Sequence, residues 1–148
     1  MDKVSKGFFA GILASIPINI LNLVAYLTDL TTMLFLDWAG IFLFGRLTGT
    51  VGEQIVGQLG QIMFCGFVGI GFNHFVSYRW RMNYLFKGWL FSMAIWGSIF
   101  GISAAFRLPH LSRLPFKTVL TNLILTSVFG LILPEILRWL NTREHLKN

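Results

Sequence analysis

Four apolar stretches, each close to the ~20 residues that a helix needs to cross a ~30 Å hydrocarbon core, take up most of this chain and dictate its solvent. They run from about Gly7 to Leu27, Ile55 to Tyr78, Tyr84 to Phe106 and Val119 to Leu140. With 55% hydrophobic and only 12% charged residues among 148, little is left to make a water-soluble surface. In lipid a helix satisfies its own backbone hydrogen bonds, whereas strands need a closed barrel and an alternation of apolar and polar positions that these stretches lack. The expected fold is all-α: a polytopic integral membrane protein of four transmembrane helices in one bundle spanning 1–148. A short interfacial or re-entrant helix completes it.

That extra segment lies between the first two spans, Thr32 to Gly45, and is too short to cross comfortably. Asp29 or Thr31 is expected to cap its start and Gly45 to end it, with Trp38 at the headgroup level. Pro17 and Pro134 fall inside spans, where each removes a backbone donor and is expected to kink the helix. The short basic lead, Met1 to Lys6, reads as the start of a retained anchor. The apolar run behind it continues to Leu27 without a clear small-residue cleavage site.

The net charge of +6 does not point to nucleic acid, because Lys and Arg sit at the ends of the apolar runs and not along one face. They read as topology signals. Lys3, Lys6, Arg79, Arg81, Lys87, Arg138, Arg143 and Lys147 fall on one side, and Arg46, Arg107, Arg113 and Lys117 on the other. Eight of the 12 against four places both termini in the cytoplasm. The basic connection from Arg107 to Lys117 leaves a dual-topology dimer open.

Helices in lipid gain little from burying apolar surface, so small residues and interhelical hydrogen bonds must hold them together. Gly7, Gly11 and Ser15 form a small-residue stripe that continues as Asn19 and Asn22. Gly97, Gly101 and Ala105 repeat that spacing on the third span, and Asn122, Thr126 and Gly130 form a comparable stripe on the fourth. The second span carries Gln54, Gln58, Gln61 and Cys65 at helical spacing. Together with Asn19 and Asn22 these side chains form either an interhelical hydrogen-bond cluster or a polar vestibule. A second candidate set is ionisable: His74, Glu135 and Arg138 fall at similar depths on the second and fourth spans, where pairing or a pH-sensitive gate is possible.

The chain also shows a faint internal repeat. Lys6-Gly7-Phe8-Phe9 opens the first span and Lys87-Gly88-Trp89-Leu90 the third, and aligning Gly69 with Gly130 sets His74 against Glu135. The two offsets differ by about 20 residues, which the extra segment after the first span supplies.

Signatures of catalysis are missing: GxSxG, HExxH, a phosphate-binding loop and paired membrane carboxylates are all absent. Cys65 is the only cysteine, which excludes an internal disulfide, a CxxC pair and a thiolate zinc cluster. Only His74 lies within a span, so two-histidine haem ligation is not expected. No metal, cofactor or enzyme activity is therefore expected. In size, four-span layout and the opening Lys6-Gly7-Phe8-Phe9-Ala10-Gly11, the chain resembles small uncharacterised bacterial membrane proteins of the YqhR-like kind. That resemblance implies a bacterial inner membrane protein and lends it no activity. The expected function is that of a self-associating accessory or structural subunit, with the lipid bilayer and a second copy or another membrane protein as partners. A small-solute or ion channel or transporter is the alternative.

Overall fold

The computed structural model describes residues 2–75, 83–111 and 113–145. They form five helices in the order α1 (Lys3–Leu27), α2 (Phe35–Phe44), α3 (Val51–Phe75), α4 (Tyr84–Ala105) and α5 (Phe116–His145). All but α2 are long and apolar enough to cross a bilayer. The sequence boundaries agree within a few residues, except that α1, α3 and α5 each begin a turn or so earlier. The end proposed for the second span, residues 76–78, and the basic residues Arg79, Arg81 and Lys147 lie outside the described residues.

Local chemistry sets the helix ends. Asp2 caps α1 by accepting the Ser5 backbone N–H at 3.0 Å. Hydrogen bonding from Ser5, its hydroxyl first and its N–H second, holds the Asp2 carboxyl below the usual carboxylate range. Gly45 ends α2 in the left-handed conformation, φ 70°, where a glycine carries no Cβ penalty, and donates its N–H back to the Ile41 carbonyl. The cap expected from Asp29 or Thr31 is not the one observed. Asp29 belongs to the turn that ends α1, at φ 57°, and the Thr31 hydroxyl bonds the Met33 carbonyl. The cap comes from inside α2: Asp37 reaches back to accept the Leu34 N–H at 3.0 Å.

Packing is organised by two helix crossings at which glycines let backbone carbonyls approach the facing helix, joined at the second by the Ser92 and Pro134 side chains. At the first, a Cβ on Gly7 would lie 2.7 Å from the Gly69 carbonyl oxygen, one on Gly69 would overlap the Gly7 carbonyl, and one on Gly11 would overlap that of Cys65. α1 and α3 therefore touch through glycine. At the second, a Cβ on Gly88 would overlap the Gly130 carbonyl, and one on Gly130 would lie 2.8 Å from the Gly88 carbonyl. α4 and α5 thus meet by the same device. α1 also packs on α5, and α2 on α3, where Gly57 lets the Leu36 carbonyl approach. The main core, Ala10, Ala14, Ile18, Val68, Phe72, Leu125, Phe129, Leu133 and Leu137, fills the space among α1, α3 and α5. A smaller one under α2 gathers Met33, Trp38, Ile41 and Leu111.

Both crossings lie toward the same end of the bundle, where Lys6 of α1 reaches Asn141 of α5 and Asn73 of α3 donates to the Lys3 carbonyl at 2.8 Å. This basic end carries Lys3, Lys6, Lys87, Arg138 and Arg143, while α2 and the remaining connections occupy the opposite end.

Candidate functional site

The polar residues of the bundle fall into four groups, the first of them positioned by the α1–α3 crossing just described. Because Gly7 and Gly11 bring α1 onto α3, the same stripe continues as buried Ser15 and half-buried Asn19 against the glutamines of α3. Asn19 Nδ2 donates to the Ser15 carbonyl at 2.9 Å and to Gln61 Oε1 at 3.0 Å. Gln58 Nε2 reaches the same oxygen at 3.4 Å, and Gln61 Nε2 donates to the buried Cys65 Sγ at 3.3 Å. Four of the six residues in the candidate polar cluster are thus joined in one chain of amides ending in a thiol. Gln54, at the outer end of the stripe, is exposed.

Asn22 does not join that chain. It is buried, and its Oδ1 accepts the Phe35 N–H at 2.8 Å, fastening α1 to the first residue of α2. Its Nδ2 and the Oδ1 of buried Asn122 on α5 have no hydrogen-bond partner among the described residues. Beside them lies a second polar group that the sequence did not disclose. Thr118 accepts the Thr32 N–H at 3.1 Å, Thr121 donates to the Leu30 carbonyl at 3.0 Å, and Lys117 to the Asp29 carbonyl at 2.7 Å. Together they strap the α1–α2 connection onto the first turns of α5. No periodicity signals such contacts, because one partner of each is backbone in an irregular segment.

The α2–α3 connection is held as firmly. Arg46 clamps Glu53 through two hydrogen bonds, 2.5 and 3.2 Å, and Glu53 also accepts the Gly49 N–H at 2.7 Å. Thr48 donates to Asp37 at 3.0 Å, so the residue that caps α2 also holds the loop behind it.

The ionisable set is not assembled as one cluster. Glu135 and Arg138 approach to 4.0 Å along α5. His74 lies exposed at the end of α3, edge-on to Phe75 with ring centroids 5.4 Å apart. No hydrogen bond or ion pair joins it to either partner among the described residues. Equal depth along two helices does not fix the direction in which a side chain points.

The small-residue stripes also part company. Gly7, Gly11 and Ser15 are buried in the α1–α3 crossing. Gly97, Gly101 and Ala105 are exposed, and among the described residues no atom of another helix lies within 4 Å of a Cβ built on either glycine. The spacing leaves open whether these residues pack within the chain or against a second subunit, and among the described residues no helix lies on them. α4 meets α5 instead through Gly88, Ser92 and Trp89, whose Nε1 donates to Ser127 at 3.1 Å. Compared with known protein families, with curated proteins and with solved structures, the chain matches none.

Proposed function

We propose that this chain is a membrane-embedded structural or accessory subunit that associates laterally through the outward face of α4, with a second copy of itself as the simplest partner. The observation that carries the reading is the contrast between two helices with the same small-residue spacing. In α1 that spacing is consumed by a crossing within the chain; in α4 it is left over. Of the most apolar stretch of α4, 17% is buried, against 39% for α1. Its outward face reads Ala94, Gly97, Ser98, Gly101, Ala105, all small and all exposed. In lipid such a face offers close backbone approach and little else, which is what drives helix association there. The Lys and Arg distribution supports both termini on the cytoplasmic side.

The experiment pairs two substitutions. Gly101→Leu adds a side chain where the chain has open space, so the fold is expected to survive while self-association in lipid nanodiscs or mild detergent is lost. Gly11→Leu drives a side chain into the Cys65 carbonyl, so the fold itself is expected to fail. A wild-type chain that is monomeric by light scattering and by photobleaching in bilayers, with no co-purifying membrane subunit, would falsify the reading. The alternative of a solute path along Gln54, Gln58 and Gln61 has less support, since the inner glutamines are engaged with Asn19, Cys65 and one another.

A further inference from the structure

The outer side of the α4–α5 pair holds a feature that serves neither the glycine crossings nor the face of α4 described above. The two helices touch where Gly88 meets Gly130 and Pro134, and toward the basic end they part. The gap is an open cleft of about 650 Å³ lined by Asn83, Tyr84, Leu85 and Phe86 at the start of α4 and by Glu135 and Arg138 of α5. It continues along the helices as a second hollow of about 550 Å³, sharing Leu85 and Glu135 and otherwise walled by Leu131, Ile132, Ile136 and Trp139. One carboxylate and one guanidinium therefore line a cleft that runs on into an apolar groove.

The two charges do not saturate each other. They stand 4.0 Å apart at their nearest, with 53% of the Glu135 side chain and 74% of that of Arg138 exposed. Their level is marked by Trp139, with the Arg143 guanidinium 4.2 Å over its ring, a pairing suited to the headgroup region. Glu135 lies one turn below Trp139 and Leu131 one turn below Glu135, so the charges sit where headgroups give way to acyl chains. A carboxylate left open to hydrocarbon there is costly unless a cation meets it.

We propose that this cleft binds a phospholipid whose headgroup is zwitterionic and ends in a primary ammonium, as in phosphatidylethanolamine. The ammonium donates to Glu135, the phosphate accepts from Arg138, and one acyl chain lies along Leu131, Ile132 and Ile136. The opposite charges select the class: an anionic headgroup without an ammonium leaves Glu135 unpaired, and a quaternary ammonium has no N–H for the carboxylate to accept. A second apolar helix laid in the groove would cover both charges and pair neither.

The inference rests on the multi-pass membrane reading, which is checked first: a chain that leaves the membrane fraction in alkaline carbonate fails that reading before any lipid is counted. Membrane-integrated protein is then exchanged into an equimolar mixture of phosphatidylethanolamine, phosphatidylcholine and phosphatidylglycerol, repurified, and its retained lipid quantified by mass spectrometry. Phosphatidylethanolamine is expected to be enriched roughly tenfold over the other two, the scale of one charge-assisted hydrogen bond. Glu135→Gln is expected to bring it down to the phosphatidylglycerol level, and Arg138→Gln to lower retention of both. Both side chains are exposed, so the fold should persist, and a melting curve in phosphatidylcholine nanodiscs verifies it. Equal retention of the three lipids by wild type, or an enrichment unchanged in Glu135→Gln, overturns the proposal.

Discussion

Asn19 and Gln61 show how a single pair of amides can bind two helices without an ionised group. Their 3.0 Å bond draws on a face that the Gly7 and Gly11 crossing has already brought close, so little extra ordering is needed to make it. A double-mutant cycle on Asn19→Leu and Gln61→Leu is expected to give this bond a coupling of about 0.6 kcal/mol and at most ~1.7 kcal/mol, the measured range for such bonds between membrane helices. Reversible unfolding in bicelles by steric trapping measures this directly. The larger loss should come from Gly11→Leu, where overpacking typically costs 1–3 kcal/mol, roughly, even when the clash is with movable side chains. At Gly11 the obstacle is the Cys65 carbonyl, backbone that cannot rotate away. A cysteine placed at Gln58 in a Cys65→Ala background is expected to react slowly with water-soluble maleimide in intact cells. Fast labelling would show a water-filled path in place of the amide chain.

Among the elements, α2 is the one whose position depends most on charged side chains. Asp37 holds the Leu34 N–H on one side and the Thr48 hydroxyl on the other, and the Arg46–Glu53 clamp closes the loop that follows. Glu53→Gln keeps the shape of the side chain and removes its charge. Its expected consequence is faster proteolysis between Gly45 and Gly52 with the four long helices intact, read by limited digestion of protein in nanodiscs. This element also shows where sequence reasoning succeeds and stops. Its presence and its glycine end were legible, because a left-handed terminus selects glycine. Its start was not, because the capping carboxylate lies one turn inside the helix, and Asp29 or Thr31 looked equally suited. The same limit governs the small-residue stripes: spacing identifies a helix face but not what lies against it. Gly7 and Gly11 found α3, whereas Gly97 and Gly101, at the same spacing, met no neighbour among the described residues. The amides of Asn19 and Gln61 were legible as a cluster because both carry helical periodicity. The threonine and lysine straps from α5 were invisible, since they end on backbone carbonyls and amides of an irregular segment.

At the scale of the whole molecule, the two hairpins share more than their hydropathy. The sequence sets Gly7 against Gly88 and Gly69 against Gly130, and the structure crosses Gly7 with Gly69 and Gly88 with Gly130. Two aligned positions thus do the same mechanical work in both halves, as a duplicated hairpin requires. The His74 and Glu135 match carries no such equivalence, since His74 is free of the α5 pair. The basic end gathers the start of α1 and the end of α5, so reporters fused before Met1 and after Asn148 should give the same answer. Cytoplasmic signals from both are expected, and equal mixed populations would identify a dual-topology dimer.

The glycine crossings have a further consequence for motion. An interface built from interdigitated side chains can relax by changing rotamers, but one in which carbonyls rest on glycine Cα atoms has no such freedom. Both of these interfaces lie toward the basic end, so helix movement is held there by backbone contact, whereas the far end is held by side-chain straps that can exchange partners. Backbone amides around Gly66–Gly69 and Gly130 should therefore exchange with deuterium most slowly, and those toward Val51 and Phe116 sooner, as helix ends far from the anchor open first. A uniform exchange rate along α3 would mean that the crossings are no stiffer than the rest of the bundle.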